Sequence, residues 1–254
     1  NRFCKITSCA DCSLHVHLVV FDNELYACGQ KSITDTTNKV FVFRRNKWTK
    51  VIEITGIRLF LLSYENSILV LNKERKIVSL LKPEESYRLK KNFETLPEKG
   101  TFEYALIYGS KLLVFLAENV EGVEETAVHC LDLINKTWTK LDNLKGPAKH
   151  LISFQDDETN YIIQRNGNVW RLVGTKDKLV SFKFIGKLWT ADRILHGAVL
   201  YKDQLTLHGD SPKNYPKATK LVLNEFPYSL NYWGRNGASS NFLPVILAKS
   251  CLIS

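Results

Sequence analysis

Residues 102–141 read FEYALIYGSKLLVFLAENVEGVEETAVHCLDLINKTWTKL. An apolar run reaches a turn at Gly109-Ser110, a second apolar run follows, and an acidic loop leads into a third run, AVHCLDL. A turn at Asn135-Lys136 then opens a short strand carrying Trp138. Strand-forming runs separated by short turns make this stretch a four-strand antiparallel meander. A sheet this small cannot cover its own apolar face, so the rest of the chain is expected to repeat it.

The repeat is present. Aligning the turn and second run gives FDNELYACG, SYENSILVLN, IYGSKLLVFL, QDDETNYIIQ, LYKDQLTLHG and LAKSCLIS. Their anchors are Leu25, Ile68, Leu112, Tyr161, Leu205 and Leu252, spaced by 43, 44, 49, 44 and 47 residues. That is the period of a propeller blade. Each of the first five anchors is followed 19 to 26 residues later by an aromatic residue: Trp48, Tyr87, Trp138, Phe182 and Tyr228. The expectation is one all-β domain over residues 1–254, a six-bladed β-propeller of four-stranded antiparallel blades. The N-terminal RFCKI would supply an outer strand to the last blade and so close the ring. A sandwich of hairpins is the competing reading, but sandwich strands require no such period.

Taken in order, LHVHLVVFD and LYACG form a hairpin across Asn23-Glu24, with KVFVFR and KWTKV completing blade one. His15 and His17 fall on one face of its first strand, where satisfied histidines near the channel are expected rather than metal ligands. The run Arg44-Arg45-Asn46-Lys47 reads as a solvated turn. Glu118, Glu121, Glu124 and Glu125 form an acidic patch, read as an exposed loop because the glycine and ligand spacing of a calcium loop is missing. Asn166-Gly167 marks a hairpin in blade four. KLVL is expected to be the third strand of blade five, and PVILAKSCLIS to open blade six.

With 44% hydrophobic residues the chain can bury a substantial core. No apolar run approaches the ~20 residues that span a bilayer, so a membrane is not an expected partner. No initiator Met or charged-then-apolar leader stands at the start, which reads as a domain of a longer chain. The six cysteines show no disulfide framework, and reduced, mostly buried thiols are expected. Cys9-Ala-Asp-Cys12 has zinc-pair spacing, with Cys4, His15 and His17 nearby, yet the expectation is no metal and no cofactor. The sequon Asn135-Lys136-Thr137 falls in a tight turn and reads as chance. These features favour a cytoplasmic chain, with the nucleus as a second address.

Arg193-Ile-Leu-His196-Gly-Ala-Val-Leu-Tyr201 followed by LTLHG, with Asn135-Lys-Thr-Trp138, Asn46-Lys-Trp48 and Leu25-Tyr-Ala-Cys-Gly29, resembles degenerate Kelch repeats. The double glycine that ends the family's second strand is missing; only Cys28-Gly29 and His208-Gly209 keep one glycine. The chain is most similar in kind to the Kelch domains of BTB–Kelch proteins. That resemblance implies an upstream BTB region that engages a cullin scaffold, while the propeller captures a protein for ubiquitination. It also admits a structural role, in which the propeller binds actin or another filament.

No G-x-S-x-G, H-E-x-x-H or phosphate-cradling glycine loop occurs, so an enzyme is not expected. The net charge of +9, from 35 basic and 26 acidic residues, favours an acidic partner. In a propeller the blade entries and the loops between second and third strands share one face. Arg58, Lys149, His150 and Arg193 stand at entries; Lys31, Arg75, Arg165 and Lys213 stand in loops. Together they would make a cationic ring for an acidic peptide segment, with Tyr215, Tyr232 and Trp233 as aromatic anchors. Nucleic acid is not expected, since no basic stripe interleaved with aromatics is present.

Overall fold

The computed structural model describes residues 14–56, 59–73, 77–97, 99–156, 159–174, 180–188, 195–201, 204–210, 221–223 and 229–235. Every element among them is a β-strand. They group into two compact units, one within Asn1–Glu98 and the other within Lys99–Ser240.

The first unit holds two antiparallel meanders. Blade one is β1 (Leu14–Phe21), β2 (Glu24–Gln30), β3 (Thr37–Arg44) and β4 (Lys47–Thr55), paired in chain order. Blade two is β5 (Leu59–Tyr64), β6 (Ser67–Asn72), β7 (Ile77–Lys82) and β8 (Arg88–Thr95), paired likewise. The first hairpin turns at Asp22-Asn23, both at positive φ, one residue earlier than expected. Asp and Asn tolerate that conformation, which matches the strand twist. The two sheets share one core, with Tyr26, Cys28, Val40 and Val42 of blade one against Leu61, Ile68, Val70 and Leu81 of blade two. First strand meets first strand, where the Leu61 N–H donates to His17 Nδ1 at 3.3 Å and the Phe60 ring lies tilted against the imidazole, centroids 3.8 Å apart. Burial, with a lesser push from Lys73, lowers the His17 pKa to about 3, so the ring is neutral. Its Nδ1 is thus satisfied by a backbone donor, as expected of this strand.

The second unit opens with blade three: β9 (Thr101–Tyr108), β10 (Lys111–Val120), β11 (Val123–Asp132) and β12 (Thr137–Lys140). A short β13 (Leu144–Lys145) adds to β11 beyond β12. Blade four is β14 (Ile152–Asp156), β15 (Thr159–Ile163), β16 (Asn168–Val173) and β17 (Ser181–Leu188). Leu113, Phe115, Val128 and Cys130 of blade three pack against Ile162 and Leu172 of blade four, with Phe182 edge-on to Phe115. Here too the first strands meet, through a 2.9 Å hydrogen bond between Tyr104 and Ser153 hydroxyls.

Among the described residues four complete four-stranded blades of the propeller kind are present, not the six expected. The fifth repeat departs from the pattern. β18 (Leu195–Tyr201) and β19 (Gln204–Asp210) form the expected hairpin, but β21 (Ser229–Arg235) joins β19 in parallel. The KLVL segment, as β20 (Leu221–Leu223), pairs antiparallel with β17 at the edge of blade four instead of following β19. An open strand edge accepts any run of similar pattern, so local sequence does not choose between the two. The N-terminal segment, the Cys4/Cys9/Cys12 cluster and the sixth repeat lie outside the described residues.

Within these limits the repeat reading holds. Leu25, Ile68, Leu112, Tyr161 and Leu205 all lie on second strands. Trp48, Trp138 and Phe182 lie on fourth strands, and Tyr87 immediately precedes one. Arg44 is not merely solvated: its guanidinium forks onto the Glu24 carboxylate, which also accepts from the Tyr26 hydroxyl at 3.1 Å.

Candidate functional site

The second strands end alike. Gln30 and Asn72 end β2 and β6, Gln164 directly follows β15, and Glu118 lies two residues before the end of β10, the four spaced by 42, 46 and 46 residues. All four are buried polar side chains. A buried polar group needs partners. The chain entering the same blade supplies them to Asn72 and Gln164, whereas Gln30 donates to the Asp35 carbonyl in its own β2–β3 loop. Asn72 donates to the Thr55 carbonyl at 3.5 Å, and a Cβ on the next residue, Gly56, would overlap its amide. Gly100, before blade three, lies against Leu116, Ala117 and Glu118. Gly146, before blade four, lies against Gln164, Asn166 and Asn168. These three glycines sit at φ of +136°, +87° and +110°, where the chain turns in hard against a strand end and a side chain would clash.

At blade four this contact becomes a network. The Gln164 amide donates to Thr126 Oγ1 at 3.0 Å and to the Pro147 carbonyl at 3.4 Å, while its oxygen accepts from Trp170 Nε1 at 2.9 Å. Thr126 donates onward to the Gly146 carbonyl at 2.8 Å, and the Asn168 amide reaches the Lys145 carbonyl at 3.1 Å. The blade entry Lys145–His150 is thus tied to the Gln164–Asn168 turn. Exposed Lys149 follows Pro147 by two residues, and partly buried Arg165 is next to Gln164. His150 completes the entry turn at φ +60°.

Of the residues singled out for partner binding, the structure brings Lys149, His150 and Arg165 to this one node. Trp233 lies on β21, in register with His208. Lys31 opens the loop between β2 and β3, where the Asp35 carboxylate accepts from the Lys31 and Ser32 amides. Arg58, Arg75, Arg193, Lys213 and Tyr215 lie outside the described residues. The buried polar row went unread in the sequence; its signal was a polar residue after the apolar run of each second strand, near the blade period.

Glu118 is the charged member of the row. Its Oε2 lies 3.7 Å from the Lys140 ammonium, and its buried Oε1 has no hydrogen-bond partner among the described residues. His129 lies on the same sheet, opposite Lys140 on β12; burial and that ammonium lower its pKa, against a smaller upward pull from Glu118. Burial pushes the Cys28 thiol up to about 12 and raises that of Cys130, so neither is a thiolate at neutral pH. Among the described residues no group of three or more His, Cys, Asp or Glu side chains is placed to hold a metal ion. No helix there is long and apolar enough to cross a membrane. The chain matches no protein-family model and no curated protein.

Proposed function

We propose that this chain is a protein-binding module without catalytic activity, a degenerate Kelch propeller that receives an acidic segment of a partner where blade entries meet the turns after second strands. On this reading it is the recognition domain of a BTB–Kelch adaptor for a cullin-RING ubiquitin ligase, working inside the cell. The observation that carries it is the node at blade four. Hydrogen bonds fix the Lys145–His150 entry against the Gln164–Asn168 turn, so Lys149 and Arg165 are presented from rigid backbone. Preordered cations bind carboxylates with less entropy lost on association. The Kelch half rests on second-strand anchors recurring every 43 to 49 residues and on tryptophans at the outer strands.

The test is fluorescence anisotropy with a labelled glutamate-rich nonapeptide and a glutamine-rich control. The glutamate peptide is expected to bind more tightly, with affinity falling as salt rises. Lys149→Ala/Arg165→Ala, two changes at positions that are not fully buried, is expected to weaken it by about tenfold or more, roughly 1.4 kcal/mol. Unchanged affinity in the double variant would remove the node as the site. Recovery of a cullin with the full-length protein tests the adaptor half separately.

A further inference from the structure

Blade three carries an acidic patch on a chain of net charge +9, and a receptor for acidic segments gives that patch no role. The β10–β11 hairpin keeps its ladder to the tip, pairing Glu118 with Glu125, Asn119 with Glu124 and Val120 with Val123 around the turn Glu121-Gly122. Directly opposed residues share a sheet face, so Glu118, Val120, Val123 and Glu125 lie on one side. Lys145 stands opposite Glu125 on β13 and extends the row.

Two features besides the acidic cluster point to a ligand. Val120 and Val123 are 40% and 61% exposed, an apolar pair rimmed by carboxylates at the end of a hairpin braced by the Gly122 amide on Asn119 Oδ1 at 2.9 Å. Glu118, on the same face, is only 7% exposed, and its Oε1 lacks a donor. Glu118 and Glu125 also oppose each other directly, an arrangement that costs stability unless a cation lies nearby. The Asn143 amide relieves Glu125 at 2.8 Å; Lys140 reaches Glu118 only at 3.7 Å.

We propose that this hairpin docks an extended basic segment of a partner protein, with one aliphatic side chain against Val120 and Val123 and a Lys or Arg along the Glu118–Glu125 row. Exposed Glu121 and Glu124 add to the negative potential that draws the segment in. The chemistry is opposite to that of the Lys149–Arg165 node, so this site goes beyond the acidic-segment reading and stands without it.

The experiment uses three labelled nonapeptides, alternating Lys with Ile, Lys with Ser, and Glu with Ile. The Lys–Ile peptide is expected to bind at least tenfold tighter than either of the others. Val120→Ser/Val123→Ser, at exposed positions where folding is not at stake, is expected to erase its advantage over Lys–Ser. Glu121→Gln/Glu124→Gln is expected to weaken both lysine peptides several-fold and to flatten their salt dependence. Equal binding of Lys–Ile and Lys–Ser overturns the proposal, since charge alone would then account for it; so does a valine double variant that binds Lys–Ile as the parent does. A dimer of the chain alone that the same double variant abolishes would make a second copy the occupant, and would overturn it too. Failure of the Lys149/Arg165 test leaves this result untouched.

Discussion

Gln164 and Glu118 stand 46 residues apart, each following the apolar run of a second strand and lying against an incoming glycine, yet one is fully partnered and the other is not. Gln164 uses donor and acceptor together, reaching Thr126, Pro147 and Trp170. Glu118 presents only acceptors, and one of its oxygens finds no donor. The backbone therefore sets the need for a polar side chain, and the side chain decides whether that need is met. A satisfied amide network rigidifies its surroundings, whereas a half-met carboxylate lowers stability where it sits.

The largest effect is expected where that network is removed. Gln164→Ala strands Trp170 Nε1 and the Pro147 carbonyl and leaves a cavity, so it is expected to cost about 3 kcal/mol in urea unfolding. A loss below about 1 kcal/mol would mean that water replaces the amide and that the comparison with Glu118 is empty.

His17 extends the contrast to a group that titrates. Its folded pKa of about 3 lies below its unfolded value of about 6.5. Below pH 6.5 the unfolded chain takes up a proton that the native ring refuses. This stability is complete above pH 6.5 and is lost as pH falls from there toward 3. Between pH 7 and pH 5 the loss is expected to be about 2 kcal/mol relative to His17→Gln, which keeps an acceptor for the Leu61 amide. Parallel pH profiles for the two proteins would show that the imidazole is protonated in place.

The blades were legible because their signals are local: apolar second strands recur every 43 to 49 residues, each with turn residues and one aromatic at or next to the outer strand of its blade. Partner choice was not. The Leu221–Leu223 run reads as a third strand by pattern, but it pairs with β17, since strand edges compete over distances that no window contains. Arg44 and Glu24, twenty residues apart, meet only once the β2–β3 hairpin has formed. Lys149 and Arg165 were legible as positions on a blade plan, but the hydrogen bonds that hold them to one node were not. Nor was the burial of Gln164 and Glu118, because a polar residue after an apolar run reads as the strand leaving the core.

The smallest stability effect should carry the opposite sign. Glu118→Gln keeps the shape, removes a buried charge facing Glu125 and supplies a donor where only acceptors stood. It gives up a single 3.7 Å approach from exposed Lys140, which is worth little in solvent. The net is expected to be a gain of up to about 1 kcal/mol in urea unfolding. The same change should weaken the Lys–Ile peptide while leaving the glutamate peptide unaffected. Stability gained together with docking lost would identify Glu118 as a residue whose charge is retained for a partner. A loss of stability would instead make Glu118 a structural counterpart of Gln164, held by Lys140, and would dissolve the difference between the two strand ends.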